Sequence, residues 1–115
     1  AHHHLNNLVA IVDRNRQGIT DFIEDSTSLE PFAKKWQSFN WDVREIDGHS
    51  FEELLVSFED FRSRNSPQPL MLIANTVRGK GVSFMEGKLD WHHRVPNDEE
   101  LEIARQELID KGMGQ

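Results

Sequence analysis

Two residues that directly follow an apolar run have the types and spacing to hold a metal ion. Asn15 offers a neutral side-chain oxygen, and Gln17, two residues later in a predicted turn, can direct its main-chain carbonyl to the same point. Neutral oxygens of this kind suit a hard cation such as Mg²⁺ or Ca²⁺, which in turn suits a diphosphate. The pattern also fits a simpler role, because an Asn after a strand is commonly a turn former.

A second candidate site is the glycine pair Gly79 and Gly81, which follows another apolar run. Glycines at these positions would let the main chain approach a bound cofactor closely. They would serve a tight turn equally well, so the residues alone leave both interpretations open.

Both candidate sites follow segments that predict buried strands. Residues 8–12 and 70–74 are almost wholly apolar and give way to polar residues, as in strands that are buried on both faces of a parallel sheet. We expect the first run to be a central strand. Ligands of open α/β sheets bind just beyond the carboxyl ends of such strands, which is where both sites lie.

The other segments predict one less apolar strand at 41–46, near the sheet edge, and three helices. Their predicted starts and stops are Ser28 with Pro31 in the first turn, Ser50 with Glu53, and Asn97 with Glu100 and a stop at Gly112. Apolar residues at helical spacing predict the buried faces: Leu29, Phe32, Ala33, Trp36 and Phe39, then Phe51, Leu54, Leu55, Phe58 and Phe61, then Leu101, Ala104 and Leu108. This order predicts an α/β fold, a parallel sheet flanked by helices, and shows no internal domain boundary.

Composition excludes several classes of function. The net charge is −7, which argues against binding to nucleic acid or to an anionic membrane. No apolar stretch approaches the roughly 20 residues of a membrane span, so no membrane partner is expected. The absence of cysteine fits an intracellular chain, and we expect a cytoplasmic location.

The chain resembles the diphosphate-binding domain of transketolase over most of its length, including the N-terminal subunit of split transketolases. The matching segments are Ala1-His2-His3 through Leu5, Asn7-Leu8, residues 9–15, Trp36 with Phe39-Asn40-Trp41, Glu45-Ile46-Asp47-Gly48-His49, residues 76–86, Trp91-His92 and residues 96–100. Several ordered matches in one register are more specific than any single motif. The resemblance implies a thiamine diphosphate-binding fold.

The resemblance also implies roles for individual residues. Asn15 and the Gln17 carbonyl would hold the Mg²⁺ (or Ca²⁺) that anchors thiamine diphosphate, Ile19 would line the seat of the thiamine rings, and Gly79 would approach the cofactor. His92, in the Trp-His motif, would lie near the reacting carbon. An imidazole there can donate and accept the protons that carbonyl addition and carbon–carbon cleavage require.

For the whole protein, the resemblance implies transfer of a two-carbon ketol unit between sugar phosphates. It also implies that the partner is a pyrimidine-binding domain or subunit, in a homodimer or a heterotetramer. Two alternatives stay open: a non-catalytic remnant or assembly module of a transketolase-like complex, and part of another thiamine-dependent carbon–carbon transferase.

Three features depart from the family pattern. His93 stands where related sequences tend to carry glycine, and the continuation from Gln17 to Asp21 differs from the usual one. The family's upstream Gly-Asp-Gly segment, whose acid is a charged ligand of the ion, does not occur in residues 1–115. We therefore expect the chain to be the carboxyl-terminal part of a diphosphate-binding domain and to bind the cofactor weakly or not at all by itself.

Overall fold

The computed structural model describes residues 1–18 and 21–112. In chain order the elements are strand β1 (Val9–Arg14), helices α1 (Ile23–Ser26) and α2 (Phe32–Ser38), strand β2 (Asp42–Asp47), helix α3 (Phe51–Ser63), strand β3 (Leu70–Asn75), a 3-10 helix (Leu89–His92) and helix α4 (Asp98–Asp110). None of the described helices is both long enough and apolar enough to span a bilayer.

These elements form two compact units. The first consists of Ala1–Arg14 and Thr27–Thr76, and the second of Asn15–Ser26 and the chain from Val77 onward. The chain passes between them three times, which explains why no single linker marks the division in the sequence. Two of the passages lie directly after β1 and β3.

The sheet of the first unit is parallel and has the strand order β1-β3-β2. Leu70 is paired with Val9 of β1 on one side and with Asp42 of β2 on the other. The carboxyl ends of the strands therefore lie side by side. The predicted parallel sheet flanked by helices is confirmed, since α2 and α3 both pack against β2.

The most apolar strand, β3, is the centre of this sheet. Its residues Leu70, Leu72 and Ile73 are fully buried. The expectation that the first apolar run would be central and buried on both faces is wrong for the described chain, because β1 has β3 as its one described neighbour and Ile11 is 54% exposed. An apolar run indicates a strand, but the position of that strand in the sheet depends on pairing with distant segments.

In the first unit, α2 and α3 form where they are predicted, but α2 has a different cap and both helices bury narrower faces than predicted. Ser28 does not cap α2; the helix begins after Pro31, and the carboxylate of Glu30 accepts a hydrogen bond from the Phe32 main-chain nitrogen at 3.0 Å. Phe39 follows the last turn and is 72% exposed. The cap of α3 is as predicted, with Ser50 Oγ accepting from the Glu53 nitrogen.

The exposed residues on α3 and α4 show how far helical spacing overestimates the buried face. Phe51 and Leu55 of α3 and Leu101 of α4 are exposed, although their spacing predicted burial. The predicted capping box of α4 is complete, with Asn97 and Glu100 each accepting from the other's main-chain nitrogen.

Candidate functional site

Asn15 and Gln17 form a tight turn at the start of the second unit. Asn15 is half-buried, and its side-chain oxygen accepts a hydrogen bond from the main-chain nitrogen of Gln17 at 2.9 Å. This is an Asx turn, the turn-forming role that the sequence left open for Asn15. An amide oxygen has two lone pairs, so one of them is left for a cation or another donor.

The Gln17 side chain links this turn to a second loop. Its nitrogen Nε2 donates to the main-chain oxygen of Gly87 at 2.7 Å. Its oxygen Oε1 is buried and has no hydrogen-bond partner among the residues that the structure describes. A buried acceptor without a donor costs roughly 1–3 kcal/mol, and a bound cation or a donating ligand would remove that cost.

The second loop, here called the glycine-rich loop, comprises residues 78–87. It is closed at its ends by a hydrogen bond from the Gly87 nitrogen to the Arg78 oxygen at 2.9 Å. Gly79 has φ +71°, and a Cβ there would lie 2.8 Å from the main-chain carbonyl of Met85. The structure therefore explains Gly79 as a turn residue packed against its own loop, and its approach to a cofactor stays a prediction.

Arg78 is a residue of this region that the sequence analysis did not select. It is half-buried, and its guanidinium nitrogens donate to the main-chain oxygen of Gly18 at 3.3 and 3.4 Å. This contact brings a positive charge to the segment that follows the Asx turn. A cation beside a glycine pair at a strand end is the signal in the sequence that could have identified it.

His92 lies at the end of the 3-10 helix, and its side chain is exposed. The preceding residue, Trp91, contacts the glycine-rich loop. Its indole nitrogen donates to the Phe84 main-chain oxygen at 3.0 Å, and the ring centroids of Trp91 and Phe84 are 5.2 Å apart. The guanidinium of Arg94 stacks over the Trp91 ring, with its central carbon 4.4 Å from the ring centroid. The turn that carries His92 is thus held on the same loop as Gly79.

The structure brings some of the predicted residues together and not others. Asn15 and Gln17 are in contact, and Gln17 reaches the glycine-rich loop. Within residues 1–18 and 21–112, no hydrogen bond joins His92 to Asn15 or Gln17, and no group of three His, Cys, Asp or Glu side chains suits a metal ion. Ile19 lies outside the described residues.

Arg14, the last residue of β1, is fixed at the carboxyl edge of the sheet in the first unit. It forms ion pairs with Glu30 and with Glu45 and donates to the side-chain oxygen of Asn75 at 3.3 Å. Beside it, Thr76 donates to the carboxylate of Asp13. These polar contacts fix the strand end from which the chain continues to Asn15.

The chain matches a known protein family along almost its whole length. The family described as "Transketolase, thiamine diphosphate binding domain" matches residues 1–112. The chain is 43% identical over 107 residues to a subunit of the apulose-4-phosphate transketolase of Phocaeicola vulgatus, which covers 93% of the chain and 38% of that protein. It is 37% identical over 108 residues to the 6-deoxy-6-sulfo-D-fructose transketolase subunit SqwG of a Clostridium species, covering 94% and 39%.

Transketolases that are not named as subunits are also similar. Human transketolase is 38% identical over 88 residues, covering 76% of the chain and 14% of the human protein. The crystal structure of transketolase from Campylobacter jejuni superimposes with a TM-score of 0.81 at 26% identity, covering 90% of the chain and 16% of that structure. The chain thus spans about two fifths of each of the two subunit relatives and a smaller share of the other two transketolases.

Proposed function

Because the chain belongs to the transketolase family through its thiamine diphosphate-binding domain, we propose that it is part of an enzyme that transfers a two-carbon ketol unit between sugar phosphates. Thiamine diphosphate, when bound, supplies the carbon nucleophile that makes and breaks the carbon–carbon bond. The task of this chain is to bind and orient the diphosphate end of the cofactor and to manage protons. The location we propose is the cytoplasm.

The observation that carries the proposal is the junction between the Asx turn and the glycine-rich loop. Gln17 contacts Gly87, and Arg78 contacts Gly18, so two segments that are about 60 residues apart in the chain are held together. The junction offers two amide oxygens and one guanidinium, and one of the amide oxygens is buried without a partner among the described residues. Neutral oxygens suit a hard cation and a guanidinium suits a phosphate, so these residues fit the group.

Within this site we assign the cofactor contacts as follows. Asn15, through its side-chain oxygen, and Gln17, through its main-chain carbonyl, would hold Mg²⁺ or Ca²⁺. Gly79 would contact the cofactor, and Ile19 would contact its thiamine rings. None of the residues whose described hydrogen bonds form the junction carries a carboxylate to balance the charge of the ion, and Mg²⁺ gives up its water reluctantly. We therefore propose that an acid from outside residues 1–115 completes the ion's coordination.

His92 is proposed as the residue that donates and accepts protons near the reacting carbon. Its exposure is consistent with this role, since a proton-transfer group must reach the substrate. The Trp91 indole is fixed on the glycine-rich loop, which holds the turn that presents His92.

The two relatives that are named as transketolase subunits imply a partner for such a chain. We propose that this protein likewise works with a pyrimidine-binding domain or subunit, in a homodimer or a heterotetramer. The two relatives are named for different sugars, apulose 4-phosphate and 6-deoxy-6-sulfo-D-fructose, and the second carries a sulfonate in place of a phosphate. We propose sugar phosphates as the substrate class and assign no individual sugar.

The proposal is tested by measuring ketol transfer in the full-length protein reconstituted with its partner subunit. We expect Asn15→Ala and His92→Ala each to reduce the rate strongly while the complex still assembles. Full activity in both variants, with assembly intact, would favour the assembly-module alternative. Turnover of an acyl donor in place of a ketose donor would favour another thiamine-dependent transferase.

A further inference from the structure

We infer that Glu107 of α4 is a positioning residue for the cofactor site, because it fixes the shape of the glycine-rich loop. The inference rests on the proposed function, in which this loop contacts thiamine diphosphate. Glu107 belongs to a helix far along the chain from the predicted ligands, and no motif in the sequence pointed to it.

The carboxylate of Glu107 takes both hydrogen-bond donors of one loop residue. Its Oε2 accepts from the Ser83 main-chain nitrogen at 2.6 Å, and its Oε1 accepts from Ser83 Oγ at 2.5 Å. The side-chain bond, and after it the main-chain bond, hold the pKa of the Glu107 carboxyl below its ordinary value. Bonds to an ionised acceptor are stronger than those between neutral groups, so the contact favours one conformation of the loop at Ser83.

Lys111, the C-cap residue directly after α4, holds the same loop by donating a hydrogen bond instead of accepting one. Its ammonium nitrogen donates to the main-chain oxygen of Gly81 at 2.7 Å. Glu107 and Lys111 are four residues apart and so lie on the same face of the helix. Together they fix a donor at Ser83 and an acceptor at Gly81, on either side of the buried residue Val82.

The fixed segment is continuous with the groups proposed to bind the cofactor. The Val82 nitrogen donates to the oxygen of Gly79, and the Val82 oxygen accepts from the nitrogens of Met85 and Glu86. At the end of the loop, the Gly87 oxygen accepts from Nε2 of Gln17, and Oε1 of the same side chain is the buried oxygen without a partner in residues 1–18 and 21–112. A change at Ser83 is therefore transmitted through the loop to the Asx turn.

The test is cofactor titration of ketol transfer in the full-length protein with its partner subunit. Glu107→Gln keeps one acceptor but turns the other into a donor that faces Ser83. We expect the KM for thiamine diphosphate to rise about tenfold, with kcat at saturating cofactor near the wild-type value, because bound cofactor restores the loop. The matched control is Glu102→Gln, an exposed carboxylate on the same helix for which the described residues provide no partner, and it should leave both constants unchanged.

A second pair of variants serves in case Glu107→Gln does not fold. Ser83 is exposed, so Ser83→Ala removes one hydrogen bond without opening a cavity, and Ser83→Thr keeps the hydroxyl. We expect Ser83→Ala to raise the cofactor KM and Ser83→Thr to preserve it, and amide exchange in residues 79–86 to accelerate in the alanine variant only. A purely structural contact would lower Tm and leave KM unchanged.

The outcomes separate the two claims. The inference is wrong, and the proposed function stands, if all four proteins bind thiamine diphosphate equally well. These are wild type, the control Glu102→Gln, and the test variants Glu107→Gln and Ser83→Ala. If the wild-type complex takes up no thiamine diphosphate, the proposed function is wrong, and the inference falls with it.

Discussion

The side chain of Gln17 donates a hydrogen bond to the main-chain oxygen of Gly87, 70 residues away, at 2.7 Å. This bond joins the turn after the first strand to the loop after the third. It uses the amide nitrogen and leaves the amide oxygen buried without a donor among the described residues. A carbonyl oxygen that is buried in this way is placed to meet a cation or a donating ligand.

The first prediction concerns the charge at that position. In Gln17→Glu, a carboxylate oxygen faces the Gly87 oxygen, and the group that was a neutral acceptor becomes an anion. We expect a lower Tm without divalent cations and a recovery of Tm with Mg²⁺, because an ion at the junction would neutralise the new charge. Gln17→Met, which removes both the bond and the unpartnered oxygen, should stay within about 1 kcal/mol of wild type and show no Mg²⁺-dependent recovery. An equal response of both variants to Mg²⁺ would argue against a cation at this junction.

A second prediction separates two adjacent histidines. His92 and His93 are both exposed, and the centroids of their imidazole rings are 6.2 Å apart. We expect His92→Ala to lower kcat for ketol transfer about 10²-fold, since proton transfer by a positioned side chain contributes at least that much. His93→Ala, the matched control, should retain most of the activity, and neither change should shift Tm. Equal losses in the two variants would remove the specific assignment to His92.

A third prediction uses two glycines with the same backbone conformation. Gly79 and Gly87 both have φ +71°, but a Cβ at Gly79 would meet Met85 at 2.7 Å and one at Gly87 would meet nothing within 4 Å. Gly87→Ala should cost about 1–2 kcal/mol from the left-handed conformation alone. Gly79→Ala should cost about 1–3 kcal/mol more, because the loop backbone must move. Denaturant unfolding measures the difference, and equal costs would mean that the loop is not packed against Gly79.

A fourth prediction concerns pH. Hydrogen bonds from Ser83 lower the pKa of Glu107 in the folded protein, Lys111 adds to the effect, and partial desolvation opposes it. A depressed carboxyl pKa stabilises the fold at pH values above the unfolded-state pKa, and this stabilisation is lost as the pH falls through the folded-state value. We expect the Tm difference between wild type and Glu107→Gln to be constant near neutrality and to shrink in acid, with thermal unfolding followed from about pH 7 to about pH 3. A difference that grows in acid would contradict the assigned hydrogen bonds.

The elements that were predictable from the sequence are those that local patterns determine. The run at β3 and the reciprocal caps of Asn97 and Glu100 appear where predicted, since each depends on residues within a few positions. The exposure of Ile11 was not predictable, because the rank of a strand in its sheet is decided by partners some 60 residues away.

The site shows the same division between local and distant causes. The Asx turn of Asn15 follows from its spacing to Gln17, and turn formation is one of the two roles that the sequence predicts for Asn15. The contacts of Arg78 with Gly18 and of Glu107 with Ser83 were missed. In both, one partner is a main-chain group, and main-chain groups leave no signature in the sequence.

The most direct test of the central claim is calorimetric titration of the full-length protein, assembled with its partner subunit, with thiamine diphosphate in the presence of Mg²⁺. Asn15→Asp keeps the acceptor for the Gln17 nitrogen and retains a metal-binding oxygen, whereas Asn15→Ala removes both. We predict that wild type and Asn15→Asp bind the cofactor. We predict that Asn15→Ala binds it at least about tenfold more weakly, because the loss of one hydrogen bond to a charged group alone has an effect of that size. Binding of equal strength in all three proteins would contradict the assignment of the cofactor to this turn.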